Sequence, residues 1–143
     1  MQYTFHIEGG NFANTGVASS EIKKRLKQLN LNAQTIKRIV VALYEAEVNV
    51  VAHAYNGDIF VDLTSSSIHI LVKDEGPGIP DIEQAMQEGF STATEEVREM
   101  GFGAGMGLPN IKKNADHLDI RSTVGKGTEV EITIYLNHDQ KTE

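Results

Sequence analysis

Gly101-Phe102-Gly103-Ala104-Gly105-Met106-Gly107-Leu108 puts glycine at four alternate positions. It runs straight into Pro109-Asn110-Ile111 and an apolar, helix-compatible series, Leu108, Ile111, Ala115 and Leu118. A backbone stripped of Cβ atoms turns either way. Its N–H groups can converge on an anion, and a helix start behind them adds a positive dipole end. The stretch reads as a phosphate loop feeding a helix; the plainer reading is a surface loop. The run does not follow a strand directly and lacks Gly-Lys-Ser/Thr, so it fits neither a dinucleotide fingerprint nor a Walker-type loop.

Upstream, Gln2 to Ile7 alternates Tyr3, Phe5 and Ile7 against Thr4 and His6, the period of a strand. Val17, Ile22, Leu26 and Leu29 then give a helix from Thr15 or Ser19 to Leu29, followed by an Asn30-Leu31-Asn32 turn in which Asn32 is an N-cap. The strongest helical pattern comes next: Ile36, Ile39, Val40, Leu43, Ala46, Val50 and Ala54. It has no Gly or Pro until Asn56-Gly57, which reads as a helix stop or a hairpin turn. Within it Glu45 and Asn49 stand four apart on one face, a carboxylate and an amide one turn apart.

Asp58 to Leu63 and Ser67 to Val72 alternate as a hairpin around Thr64-Ser65-Ser66. The second strand leads into Asp74-Glu75-Gly76-Pro77-Gly78-Ile79-Pro80. Asp81 to Gln87 suits a short helix, and Glu88 to Met100, polar and irregular, a mobile loop. After the glycine run come a helix to Asp116, a strand Leu118 to Ser122, a Gly-rich turn and a last strand, Glu129 to Leu136. The order implies an antiparallel or mixed sheet with helices on one face, an α/β sandwich of two layers. It is a single domain over 1–137 with a polar tail at 138–143.

Composition bounds the function. The 143 residues include 13 Lys and Arg against 20 Asp and Glu, a net charge of −7, which disfavours a nucleic-acid binder. There is no cysteine, so thiolate catalysis and thiolate metal sites are excluded. The sequence offers no apolar run near the ~20 residues of a membrane span and no secretory signal pattern, so a cytoplasmic location is expected. Lys23, Lys24, Arg25, Lys27, Lys37 and Arg38 concentrate positive charge, and Asp74 to Glu99 holds eight acids against Arg98. These segments read either as two solvated faces or as docking surfaces of opposite sign.

Four elements thus occur in order: Glu45-x-x-x-Asn49, Asp74-x-Gly76-x-Gly78, Gly103-x-Gly105-x-Gly107 and Gly125-x-Gly127-Thr128. From Ile36 to Leu136 they resemble the four boxes of the GHKL ATPase superfamily, which implies a Bergerat-type fold. His53-Ala54-Tyr55 and Gly105-Met106-Gly107-Leu108-Pro109-Asn110-Ile111 resemble most closely the small anti-sigma-factor-type serine/threonine kinases of bacterial partner-switching systems. The length fits the nucleotide domain alone.

The resemblance implies ATP and Mg²⁺ as cofactors. It makes Glu45 the general base toward a Ser/Thr hydroxyl and Asn49 the Mg²⁺ ligand. Asp74 would accept from the adenine amino group, with Gly76, Gly78, Ile79 and Thr128 around the base. Gly103, Ala104, Gly105, Met106, Gly107 and Leu108 would wrap the phosphates, with Glu88 to Met100 as a lid. The implied partner is an antagonist protein of the anti-anti-sigma type, and also a sigma factor or a phosphatase; a homodimer would use the first strand and helix. His53 reads as a core or hydrogen-bonded residue before a metal ligand.

One departure stands out. The family's sigma-binding members place an Arg on the terminal phosphate just before Gly-Met-Gly, where this chain has Gly103 and Ala104. Either Arg98 or Lys112 takes its place, or the protein is a nucleotide-dependent binding switch. A stand-alone histidine-kinase catalytic domain is the third reading.

Overall fold

The computed structural model describes residues 1–87 and 107–136. Among the described residues, alternation of apolar and polar residues builds five strands: β1 (Gln2–Glu8), β2 (Asn56–Leu63), β3 (Ser67–Glu75), β4 (His117–Thr123) and β5 (Gly127–Tyr135). They form one sheet in the order β1-β2-β3-β5-β4. Every pairing is antiparallel, so of the two arrangements the hairpins allow the chain takes the antiparallel one.

Register carries apolar side chains across the sheet in rows. Ile59 opposes Val72, which opposes Val130; Val61 opposes Ile70, which opposes Ile132. The helices α1 (Val17–Gln28), α2 (Ala33–His53) and α4 (Gly107–Asn114) cover these rows, while α3 (Ile82–Ala85) is a single turn. Ile22 and Leu26 of α1, Ile39, Leu43 and Val50 of α2, and Ile111 of α4 are fully buried in the core. Each such side chain contributes about 1.5–3 kcal/mol of burial free energy.

The elements follow from local chemistry. Asn32 caps α2 as expected, its Oδ1 accepting from Gln34 N at 2.7 Å and Thr35 N at 3.4 Å. Asn30 takes φ 60°, a left-handed turn that Asn tolerates, to break α1 from α2. Asn56-Gly57 proves to be neither a helix stop nor a turn. The helix ends at His53, and both residues are already paired in β2, Asn56 with Glu75 and Gly57 with Asp74. An added Cβ on Gly57 would sit 3.0 Å from Val50, so glycine there serves strand-to-helix packing.

The expected lid Glu88 to Met100, Arg98 and the tail 138–143 lie outside the described residues. No helix among the described residues is long and apolar enough to cross a membrane.

Candidate active site

Two clusters form at α2. The first joins α2 to α4. Asn110 Nδ2 donates to Glu45 Oε2 at 3.0 Å, and the backbone of Gly107 lies alongside, its missing Cβ position 3.7 Å from Glu45 Oε1. Glu45 is half-buried and points at the first turn of α4, where the glycine run ends. Leu108, the next residue of α4, is buried in the core. Asn49, one turn on, is also half-buried.

The second cluster gathers β3, β4 and β5. Asp74 Oδ1 accepts from Thr128 N at 2.9 Å. Thr128 Oγ1 lies 2.9 Å from Ser122 Oγ, and Ser122 Oγ donates to Gly127 O at 3.1 Å and accepts from Ile79 N at 2.7 Å. One serine hydroxyl therefore ties Ile79, Gly127 and Thr128 together. Glycine is required at two points: a Cβ on Gly127 would come within 2.0 Å of Asp74 O, and one on Gly78, at φ +79°, within 2.5 Å of Thr123 O. Burial pushes the Asp74 carboxyl up from its ordinary pKa, and the Thr128 N–H only partly offsets this.

The end of α2 bridges the clusters. Gly76 packs so closely on Ala54 that a Cβ would lie 3.0 Å from its Cα. The helix ends just before Ala54, and from His53 back to Glu45 is eight residues of helix, about 12 Å at 1.5 Å per residue. The Asp74 cluster thus stands at one end of this helical segment and the Glu45 cluster at the other, a layout suited to an elongated ligand such as a nucleoside triphosphate.

Of the residues singled out from sequence, Glu45, Asn49, Asp74, Gly76, Gly78, Ile79, Gly107, Leu108 and Thr128 occupy these two clusters and the helix joining them. Gly103, Ala104, Gly105 and Met106 lie outside the described residues. His53 is half-buried, and burial lowers its pKa, as suits a neutral packed imidazole. Arg38 leaves the expected basic face: its Nε donates to Asn114 O at 3.1 Å and its Nη2 meets Asp116 at 3.2 Å, pinning the end of α4. Lys23, Lys24, Arg25, Lys27 and Lys37 remain exposed, as does Lys112.

Three polar residues escaped the sequence reading. Asn110 was not singled out, although its place on the first turn after the glycine run marked it. Ser122 shows no signal beyond lying in a strand. Glu47, 1% exposed, was not singled out from sequence.

Residues 12–134 match the histidine kinase-like ATPase domain family. The chain belongs to this family. It is 38% identical to an anti-sigma F factor of Thermoanaerobacter sp. (strain X514), over 98% of this chain and 100% of that one. It is 32% identical to the serine/threonine-protein kinase RsbT of Bacillus subtilis (strain 168), over 84% of this chain and 88% of that one. The fold is shared with the RsbW-containing crystal structure of a Mycobacterium tuberculosis protein with RsbU and RsbW domains, at TM-score 0.62 and 17% identity. That match covers 94% of this chain and 32% of the other. The mycobacterial sensor histidine kinase MprB has the fold too, at TM-score 0.54 and 14% identity over 95% of this chain and 98% of that one.

Proposed function

We propose that this chain is an ATP-dependent serine/threonine protein kinase of the anti-sigma type, acting on a small antagonist protein in a partner-switching module. The observation that carries the reading is the Glu45 carboxylate held by Asn110 at the first turn of α4, beside Gly107. A carboxylate fixed next to a phosphate loop is placed to orient and deprotonate an incoming hydroxyl. The names of the two relatives support the same assignment.

In this reading the Asp74 oxygens and Thr128 receive the adenine edge, and Gly76 and Gly78 let the flat base approach the backbone. Asn49 offers an amide oxygen toward Mg²⁺. Among the described residues no cluster of three or more His, Asp and Glu is built to hold a metal. Mg²⁺ needs only one or two protein oxygens, the rest of its shell coming from phosphates and waters. Bound there, the cation would neutralise charge on the transferring phosphoryl group. A cytoplasmic antagonist of the anti-anti-sigma type is the protein substrate.

The test is transfer of labelled phosphate from ATP to a purified antagonist protein of the anti-anti-sigma type. Glu45→Ala should lower the transfer rate by about 10²–10⁴-fold, the usual worth of a general base, while ATP still binds. Transfer that persists unchanged in this variant removes Glu45 from the role. A second reading, a nucleotide-dependent binding switch with little transfer, is favoured by Gly103 and Ala104 standing where the resemblance expects Arg. It predicts ATP-dependent capture of the antagonist without phosphorylation.

A further inference from the structure

The proposed function gives no part to Ser122, although three segments of the Asp74 cluster meet on its hydroxyl. Ser122 lies near the end of β4, opposite Thr128 in the ladder. Ile79 N reaches its Oγ at 2.7 Å from the loop after β3. Gly127 O lies at 3.1 Å and Thr128 Oγ1 at 2.9 Å.

Counting hydrogens gives the polarity of Thr128. A hydroxyl carries one hydrogen and two lone pairs. One lone pair of Ser122 receives the Ile79 N–H. Gly127 O can only accept, so it takes the Ser122 hydrogen. A single hydrogen is then left for the contact between the two hydroxyls, that of Thr128, donated to the second lone pair of Ser122. Thr128 Oγ1 keeps lone pairs alone. The Thr128 N–H meanwhile donates to Asp74 Oδ1 at 2.9 Å, which brings the carboxylate beside this side chain. An ionised carboxylate also only accepts.

We propose that Ser122 is a positioning residue for base selectivity. By holding the Thr128 hydroxyl as its donor, it leaves acceptors to face the base, so the site takes a 6-aminopurine nucleotide and rejects a 6-oxopurine. This rests on the nucleotide reading above. The exocyclic amino group of adenine brings N–H donors to these oxygens. The carbonyl of hypoxanthine or guanine sets oxygen against oxygen and leaves the acceptors unmet. A site built to bond a substrate N–H discriminates far more sharply than one that judges size. Without Ser122 the Thr128 hydrogen is released and can swing to meet a carbonyl, so selectivity falls although Asp74 is untouched.

The test is the ratio of the Kd for ITP to the Kd for ATP, measured by calorimetry on the full chain. The wild type should prefer ATP by about 100-fold or more. Ser122→Ala should lower the ratio by about tenfold or more, while Ser122→Thr, which keeps a hydroxyl, should hold it near the wild-type value. A serine that only braced the loops would weaken both nucleotides alike in Ser122→Ala and leave the ratio unmoved; that result overturns the proposal. So does a wild type that binds ITP as tightly as ATP. In both cases the nucleotide reading survives, whereas a wild type that binds neither nucleotide removes that reading and this inference together. Should Ser122→Ala not fold, purine riboside triphosphate, with only hydrogen at the 6-position, decides on the wild type. ITP should bind more weakly than this analogue, because opposed oxygens cost more than a missing bond. ITP binding as tightly or more tightly would make Thr128 a donor and overturn the proposal.

Discussion

Asp74 carries two opposed demands on one carboxylate. Its Oδ1 must accept from Thr128 N, yet burial disfavours its charge and raises its pKa. A raised carboxyl pKa makes ionisation cost stability. The cost is absent in acid, grows as pH rises through the ordinary and then the raised value, and is complete at neutral pH. Asp74→Asn keeps an oxygen for Thr128 and removes that cost, so the nucleotide-free variant should be at least as stable as the wild type at pH 7. Its loss should appear only with ligand. Stabilisation by ATP follows RT ln(1 + [L]/Kd), and a tenfold weaker Kd removes about 1.4 kcal/mol at saturating ATP. Thermal scans with and without ATP make the comparison; an undiminished ATP shift would contradict the adenine contact.

At the scale of the element, α1 has its start capped from another helix. Gly16 stands at its N-cap with φ 98° and no side chain to offer. The cap comes from α2: Glu47 Oε2 accepts from Gly16 N and Ala18 N, both at 3.1 Å, and Oε1 from Ser19 N at 2.9 Å. A buried carboxylate facing a positive helix end is well placed, and it locks α1 to the helix that carries Glu45 and Asn49. Glu47→Ala would leave two buried donors, Ala18 N and Ser19 N, and the part-buried Gly16 N unmet, and the loss should be about 3 kcal/mol, read from the urea midpoint at constant m-value. Glu47→Gln, which keeps one oxygen, should cost less. A loss below about 1 kcal/mol for alanine would mean that water replaces the carboxylate cheaply.

For the whole molecule, stability between about pH 7.5 and 5.5 is set by its histidines. Burial holds His53 below its ordinary pKa. As pH falls through the unfolded value, the unfolded chain takes up a proton that the native state refuses, so stability falls. His6 opposes it: Asp58 and Glu8 raise its pKa, so its contribution is present below the unfolded value and fades as pH rises through the folded one. His6 is exposed and solvent screens its pairs, so His53 should dominate. Urea midpoints should fall on acidification across that window, and His53→Gln should flatten the curve. A wild-type midpoint that rises toward pH 5.5 would reverse this ranking.

The two periods of the sequence, two in the strands and near 3.6 in the helices, were enough to place the five strands, α1, α2 and α4 and to set Glu45 and Asn49 on one face, because those patterns are local. Asp74, Gly76, Gly78 and Thr128 were legible as punctuation at strand ends. Strand order and the partners of polar groups were not, because they depend on contacts across long sequence separations. Asn110 meets Glu45 across 65 residues and Thr128 meets Asp74 across 54. The same holds for Asn56-Gly57: it has turn chemistry, but pairing with Glu75 and Asp74 overrode the local preference. Glu47 makes the division plainest: its place on a helix was written in the sequence, but only folding could show that its carboxylate caps the start of another helix.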